Sequence, residues 1–175
     1  SYEGRSLINE CGLWDDSLIP SYRRLTDSVH AEGAKIAVQL RHCGRETEPC
    51  YTGGRDIPAP SRVPCPACQS MPKEMTTEEV YKMVETFGDA ALRGKKAGFD
   101  AVELHVSHGY LIAQFLSGHA NKRTDEFGGS LHNRMRFLKL VLRDIRRKTG
   151  NDFPIIVRIS GSEMIVGGRE IQETK

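Results

Sequence analysis

Two histidines three positions apart, His105 and His108, are followed at once by Gly109, Tyr110 and an apolar run in the segment HVSHGYLIAQFL, residues 105–116. Imidazoles so spaced can share a metal, satisfy each other while packing a loop, or point two N–H donors at one oxygen. The metal reading needs a third ligand, for which His42 and Glu103 are the candidates, and it would suit a metal-dependent lyase or hydrolase. The donor reading polarises a carbonyl and stabilises negative charge as it develops. With Tyr110 beside the pair as proton donor, that arrangement suits reduction of a C=C bond conjugated to a carbonyl. The hydride must then come from a flavin or a nicotinamide. On these residues alone all three readings stay open.

The elements that must position these groups are legible from periodicity. Leu18, Tyr22, Leu25 and Val29 recur at three-to-four spacing and predict a helix over 17–32 that stops at Gly33. KIAVQL (35–40) reads as a short strand, and the Pro-rich stretch 58–75 as a loop. Residues 76–98 form the clearest helical pattern, with Thr76 or Thr77 as N-cap, Glu78 and Glu79 in the first turn and Gly98 as the stop. DAVELH (100–105) and FPIIVRIS (153–160) read as strands, and 130–150 as an amphipathic helix between them. Alternating strands and helices predict a parallel sheet covered by helices. No GxGxxG turn follows a strand, which weighs against a dinucleotide fold. Gln39, His42, His105, His108 and Arg158 all fall at or just past strand ends, where a barrel places its site. Three strands are too few to close one, so the expected fold class is α/β, a partial (β/α)8 TIM barrel spanning residues 1–175 as a single domain.

The block GFDAVELHVSHGYLIAQFLSGHANKRTDEFGGSLHNRMRFL (98–138) resembles the signature region of the old yellow enzyme family of FMN-dependent NAD(P)H:flavin oxidoreductases. The likeness extends through GAKIAVQLRHCGRE (33–46) and PIIVRIS (154–160), and GSEMIVGGREIQET (161–174) is similar to the bacterial branch of enoate, dienoyl-CoA and bile-acid-inducible reductases. This resemblance implies an ene-reductase that uses NADH or NADPH to reduce α,β-unsaturated carbonyl or carboxyl compounds. It implies that His105 and His108 grip the substrate oxygen and that Tyr110 protonates the carbon α to the carbonyl. Gln39 would bind the pyrimidine edge of FMN, and Arg158 would stand by its N1/O2 edge. His42 and Arg45 are weaker candidates near the same mouth. Asn121, Arg123, Asp125 and Arg134 also match the signature and read as structural residues of the long loop after the strand. The family's first and last strands, including its phosphate-binding elements, have no counterpart here. The 175 residues alone are therefore expected to hold FMN poorly and to be inactive. The branch also implies a 4Fe–4S cluster bound beyond the barrel, in a C-terminal region that this sequence does not include.

Bulk properties narrow the partners. A net charge of +2, with charged residues at 27% and spread along the chain, gives no footprint for nucleic acid. No apolar run is long enough to span a membrane. The expected partner is a small-molecule enone or enoate, and unpaired sheet edges would favour a homo-oligomer or a non-catalytic association module. Five cysteines, an odd number, suit a reducing, cytoplasmic setting. Cys65 and Cys68 form a CPAC motif that is half of a zinc site, with Cys43 and Cys50 as the remaining ligands, or a redox pair, or free loop thiols.

Overall fold

The computed structural model describes residues 1–68 and 70–175. Its centre is a three-stranded parallel sheet in the order β1–β4–β5, built from β1 (Ala37–Leu40), β4 (Ala101–Val106) and β5 (Ile155–Ile159). Helix α1 (Ile19–Ala31) enters β1, α3 (Thr77–Lys96) leads into β4, and α6 (Arg136–Thr149) returns the chain to β5. Short pieces fill the connections: α2 (Pro49–Thr52), α4 (Leu111–Leu116), α5 (Leu131–Arg134) and α7 (Ile171–Thr174).

Alternation along β4 sorts the chain into two faces. Val102, Leu104 and Val106 point one way and are fully buried, packed in one cluster with Val80, Phe87 and Ala91 of α3 and Phe137, Val141 and Ile145 of α6. Ala101, Glu103 and His105 point the other way. The register carries this division to the neighbours, since Gln39 pairs with Glu103 and Arg158 with His105. The outer edges of β1 and β5 have no partner strand among the described residues. Ile156, Val157 and Ile159 of β5 are correspondingly exposed.

Local chemistry explains where the elements begin and end. Thr76 caps α3 in a full capping box with Glu79, each side chain taking the other's backbone N–H. Asp15 accepts the Ser17 N–H and starts a 3-10 turn at Asp16–Leu18, so α1 begins two residues later than its apolar spacing predicts. The expected helix over 130–150 is divided into α5 and α6 at Met135, whose backbone stays near helical values. Within the Pro-rich stretch, expected to be irregular, β2 (Pro58–Ala59) and β3 (Lys73–Glu74) pair in parallel. All six residues of α4 are buried, as an apolar run of that length requires once it is helical.

Phe137 is fully buried, its ring centroid 4.3 Å from Phe115 and 6.3 Å from Phe87. Phe137→Ala should cost about 3–5 kcal/mol of stability in urea unfolding. A loss below about 1 kcal/mol would show that this cluster does not hold the helices to the sheet.

Candidate active site

The site is built where β4 ends. His105 is buried on the inner face of the sheet, and the turn Ser107–Gly109 follows. His108 and Gly109 take consecutive left-handed conformations, with φ of 56° and 74°. For a residue with a Cβ this costs roughly 1–2 kcal/mol. The turn folds the His108 ring back onto His105, with ring centroids 4.9 Å apart, and sets Tyr110 edge-on to His105 at 4.8 Å. The chain thus gathers all three expected side chains at one point.

Their hydrogen bonds assign the protons. His105 Nδ1 accepts the Ser107 backbone N–H at 3.3 Å, so the hydrogen of the neutral ring resides on Nε2. That Nε2 lies 3.1 Å from His108 Nδ1, which then accepts and leaves the His108 hydrogen on its own Nε2. The two rings are chained to each other here, rather than both aimed outward. Burial holds the His105 pKa below its ordinary value, and the nearby His108, Arg158 and Arg41 push it the same way. His105 is therefore a neutral donor.

Arg41 is the functional neighbour that the motif reading missed. Its guanidinium donates to Tyr110 Oη at 2.7 Å and lies 4.9 Å from the ring centroid. Glu10 grips it from the other side at 2.6 Å, and Ser6 Oγ accepts from it at 2.9 Å. A signal was present in the sequence. Arg41 stands two positions after Gln39, and strand alternation sends i and i+2 to the same face.

A second missed residue, Gln114, holds the frame. Fully buried in α4, it accepts the Arg45 backbone N–H at 3.2 Å and donates to the carbonyls of Cys43 at 2.9 Å and Gly109 at 2.6 Å. It thereby ties the loop after β1 to the turn after β4. Gly44 permits this closeness, because a Cβ there would sit 2.3 Å from the Gln114 amide. The lone polar residue in an apolar run was the clue.

The remaining candidates divide. Gln39 and Arg158 are exposed on the inner sheet face, Gln39 donating to Glu103 and Arg158 beside His105. His42 faces away into the body of the fold, where Nδ1 accepts the Gly44 N–H at 3.0 Å and burial lowers its pKa to about 3. Arg45 is a structural residue that bonds the carbonyls of Val63 and Pro64. Asn121 donates to Phe115 and Phe127, Arg123 bonds Asp125 and Pro60, and Arg134 bonds Leu116 and Glu173. These four signature residues bind the long loop after α4. Among the described residues no three His, Cys, Asp or Glu side chains gather as a metal-holding group. The metal readings of His105 with His108, and of Cys43, Cys50, Cys65 and Cys68, thus gain no third ligand. No helix of the described residues is long and apolar enough to cross a membrane.

The family model for the NADH:flavin oxidoreductase / NADH oxidase family matches residues 1–175. The chain belongs to that family. It is 42% identical over 173 residues to an NADH oxidase of Thermoanaerobacter brockii, covering 99% of this chain and 27% of the relative. It is 43% identical over 171 residues to an NADPH dehydrogenase of Bacillus velezensis, covering 98% of this chain and 49% of the relative. An old yellow enzyme homologue from Zymomonas mobilis superimposes with a TM-score of 0.91 at 30% identity, over 99% of this chain and 51% of that one. The three strands and their helices are accordingly part of a (β/α)8 barrel, and the chain spans between about a quarter and about half of the length of these relatives.

Because His42 and His105 are kept neutral by burial, the unfolded chain binds more protons than the native one below the ordinary histidine pKa of about 6.5. Stability therefore falls as pH drops through 6.5, and the His42 share of the loss continues to about 3. His42→Asn, whose Oδ1 can take over the Gly44 bond, should make the fall in urea midpoint between pH 6.5 and 4 shallower. An unchanged slope would contradict the burial argument.

Proposed function

We propose that the intact protein is an FMN-dependent NAD(P)H oxidoreductase that reduces the C=C bond of α,β-unsaturated carbonyl or carboxyl compounds. The observation that carries this reading is the contact of Tyr110 Oη with a fixed cation, in a tyrosine whose ring centroid lies 4.8 Å from that of a neutral histidine donor. Family membership supports the flavin and the nicotinamide reductant.

The residues of the inner sheet face fit a flavin. Gln39 offers an amide, Arg158 a guanidinium, and the strand register brings them to one face on either side of β4. Such groups match the alternating acceptors and N–H of a pyrimidine edge, and a guanidinium is the suited neighbour for an oxygen that gains negative charge. When bound, FMN supplies the hydride that it takes from NADH or NADPH.

The chain's own residues do the rest. A substrate oxygen arriving at the two rings competes with His108 Nδ1 for the His105 Nε2 hydrogen, and it takes a second hydrogen from His108 Nε2. Two donors then draw electron density from the conjugated C=C bond toward that oxygen. Arg41 has hydrogens only to give. Since it donates to Tyr110 Oη, the phenol's own hydrogen is left for the carbon α to the carbonyl. The same cation steadies the phenolate that remains, and Glu10 and Ser6 keep it from turning away. Single-domain organisation and the retention of too little FMN by these 175 residues alone belong to the same reading. The remaining barrel strands would cover the open edges of β1 and β5.

The test uses the intact protein reconstituted with FMN and kept anaerobic. NADH or NADPH should bleach the flavin band, and a cyclic enone should restore it with formation of the saturated ketone. Failure of enones and enoates to reoxidise the flavin would refute the reading. Arg41→Met should leave bleaching by the nicotinamide intact and slow reoxidation by the enone about tenfold or more.

A further inference from the structure

Glu103 is the only carboxylate of β4, and the proposed chemistry makes no use of it. Strand alternation puts it on the same face as His105, two residues on. Parallel pairing then sets Gln39 of β1 on one side of it and Ile156 of β5 on the other. The nearby cations are directed elsewhere. Arg158 is aligned with His105, two residues further along the strands, and Arg41 is gripped by Glu10. Gln39 is therefore the polar neighbour that the register leaves to Glu103, and its Nε2 donates to Glu103 Oε1 at 2.5 Å.

That bond decides which way the amide faces. An ionised carboxylate only accepts hydrogen bonds, so it takes the NH2 end of a glutamine and refuses the carbonyl end. Charge on the acceptor makes such a bond shorter and stronger than one between neutral groups. Gln39 is exposed and Glu103 half-buried, so the carboxylate fixes a side chain that would otherwise turn about its broad terminal torsion. With one N–H spent on Glu103, Gln39 keeps a carbonyl oxygen and one N–H to offer a ligand.

We propose that Glu103 is a positioning residue for the flavin. It holds the Gln39 amide with Oε1 turned to accept the N3–H of the pyrimidine edge and the remaining N–H turned to donate to an adjacent ring carbonyl. Glu103 has this role only if Gln39 binds flavin as proposed. It acts through Gln39 and not on the flavin itself. What it removes is the wrong orientation, in which the amide NH2 faces the ring N–H and two donors meet with no acceptor between them.

The flavin-free form of the intact protein would be titrated with FMN and with N3-methyl-FMN, which has no hydrogen at N3, with binding read from flavin fluorescence. The wild type should prefer FMN by about tenfold, the order of one well-placed hydrogen bond. Glu103→Ala should weaken FMN about tenfold, as expected when the ligand must itself order a long polar side chain. It should weaken N3-methyl-FMN much less, so that the preference narrows. Glu103→Gln, which keeps an acceptor oxygen at the same reach, should recover most of the FMN affinity. Gln39→Ala should cost at least as much as Glu103→Ala, and adding Glu103→Ala to it should change nothing further. Should Glu103→Ala fail to fold, Glu103→Leu takes its place in the same comparison. Equal weakening of both flavins by the Glu103 variant, or losses that add in the double variant, would leave Glu103 a structural residue and overturn the proposal. Loss of FMN affinity in Gln39→Ala but not in Glu103→Ala would refute Glu103 alone. FMN affinity unchanged in Gln39→Ala would refute the role of Gln39, and that of Glu103 with it.

Discussion

Because side chains alternate along a strand, the pairing of β4 with β1 and β5 decides at once what is core and what is site. In the observed register Val102, Leu104 and Val106 meet the helices, while His105 shares its face with Glu103, Gln39 and Arg158. A slip of one residue would drive His105 and Glu103 into the contact with Phe87 and Phe137 and turn three valine and leucine side chains to the open face. Burial of an unpaired imidazole and carboxylate there is the penalty that fixes the register. The chemistry is therefore a consequence of how the core packs.

The turn after β4 is the second constraint, and it works against local preference. A histidine with φ of 56° is held in place only if its surroundings over-determine it. Gln114 bonding Gly109 from below, the Leu111 N–H bonded to the His42 carbonyl at 2.9 Å, and the Tyr110 N–H bonded to Ser107 at 3.2 Å supply that restraint. The result is a preformed group of two histidines and a tyrosine in which each ring's position is set by the backbone rather than by a ligand. Arg41, anchored by Glu10, extends the same rigidity to the tyrosine hydroxyl.

Periodicity made the strands and long helices legible, because core faces of three residues on β4 and seven buried positions on α3 leave a strong repeat. The turn-bound pieces were harder. The β2–β3 pairing spans two residues each, too few for any alternation to register. The division at Met135 leaves its backbone near helical, so nothing in the sequence marks it. Within the site, His105, His108 and Tyr110 stood out by residue type and spacing. Arg41 and Gln114 did not, since their partners lie 69 and 71 residues away along the chain. His42 shows the converse. Its position past a strand end pointed to the mouth, but the turn at Gly44 sends its ring into the fold.

In the proposed reaction Tyr110 gives its hydrogen to substrate while the histidines hold the substrate oxygen. The most direct measurement separates the two half-reactions of Tyr110→Phe by anaerobic stopped-flow absorbance of the flavin in the intact protein. Reduction by the nicotinamide should keep its wild-type rate. Reoxidation by an enone should fall by about 10²–10⁴-fold, the usual worth of a positioned general acid. Equal loss in both half-reactions, or none in the second, would contradict it.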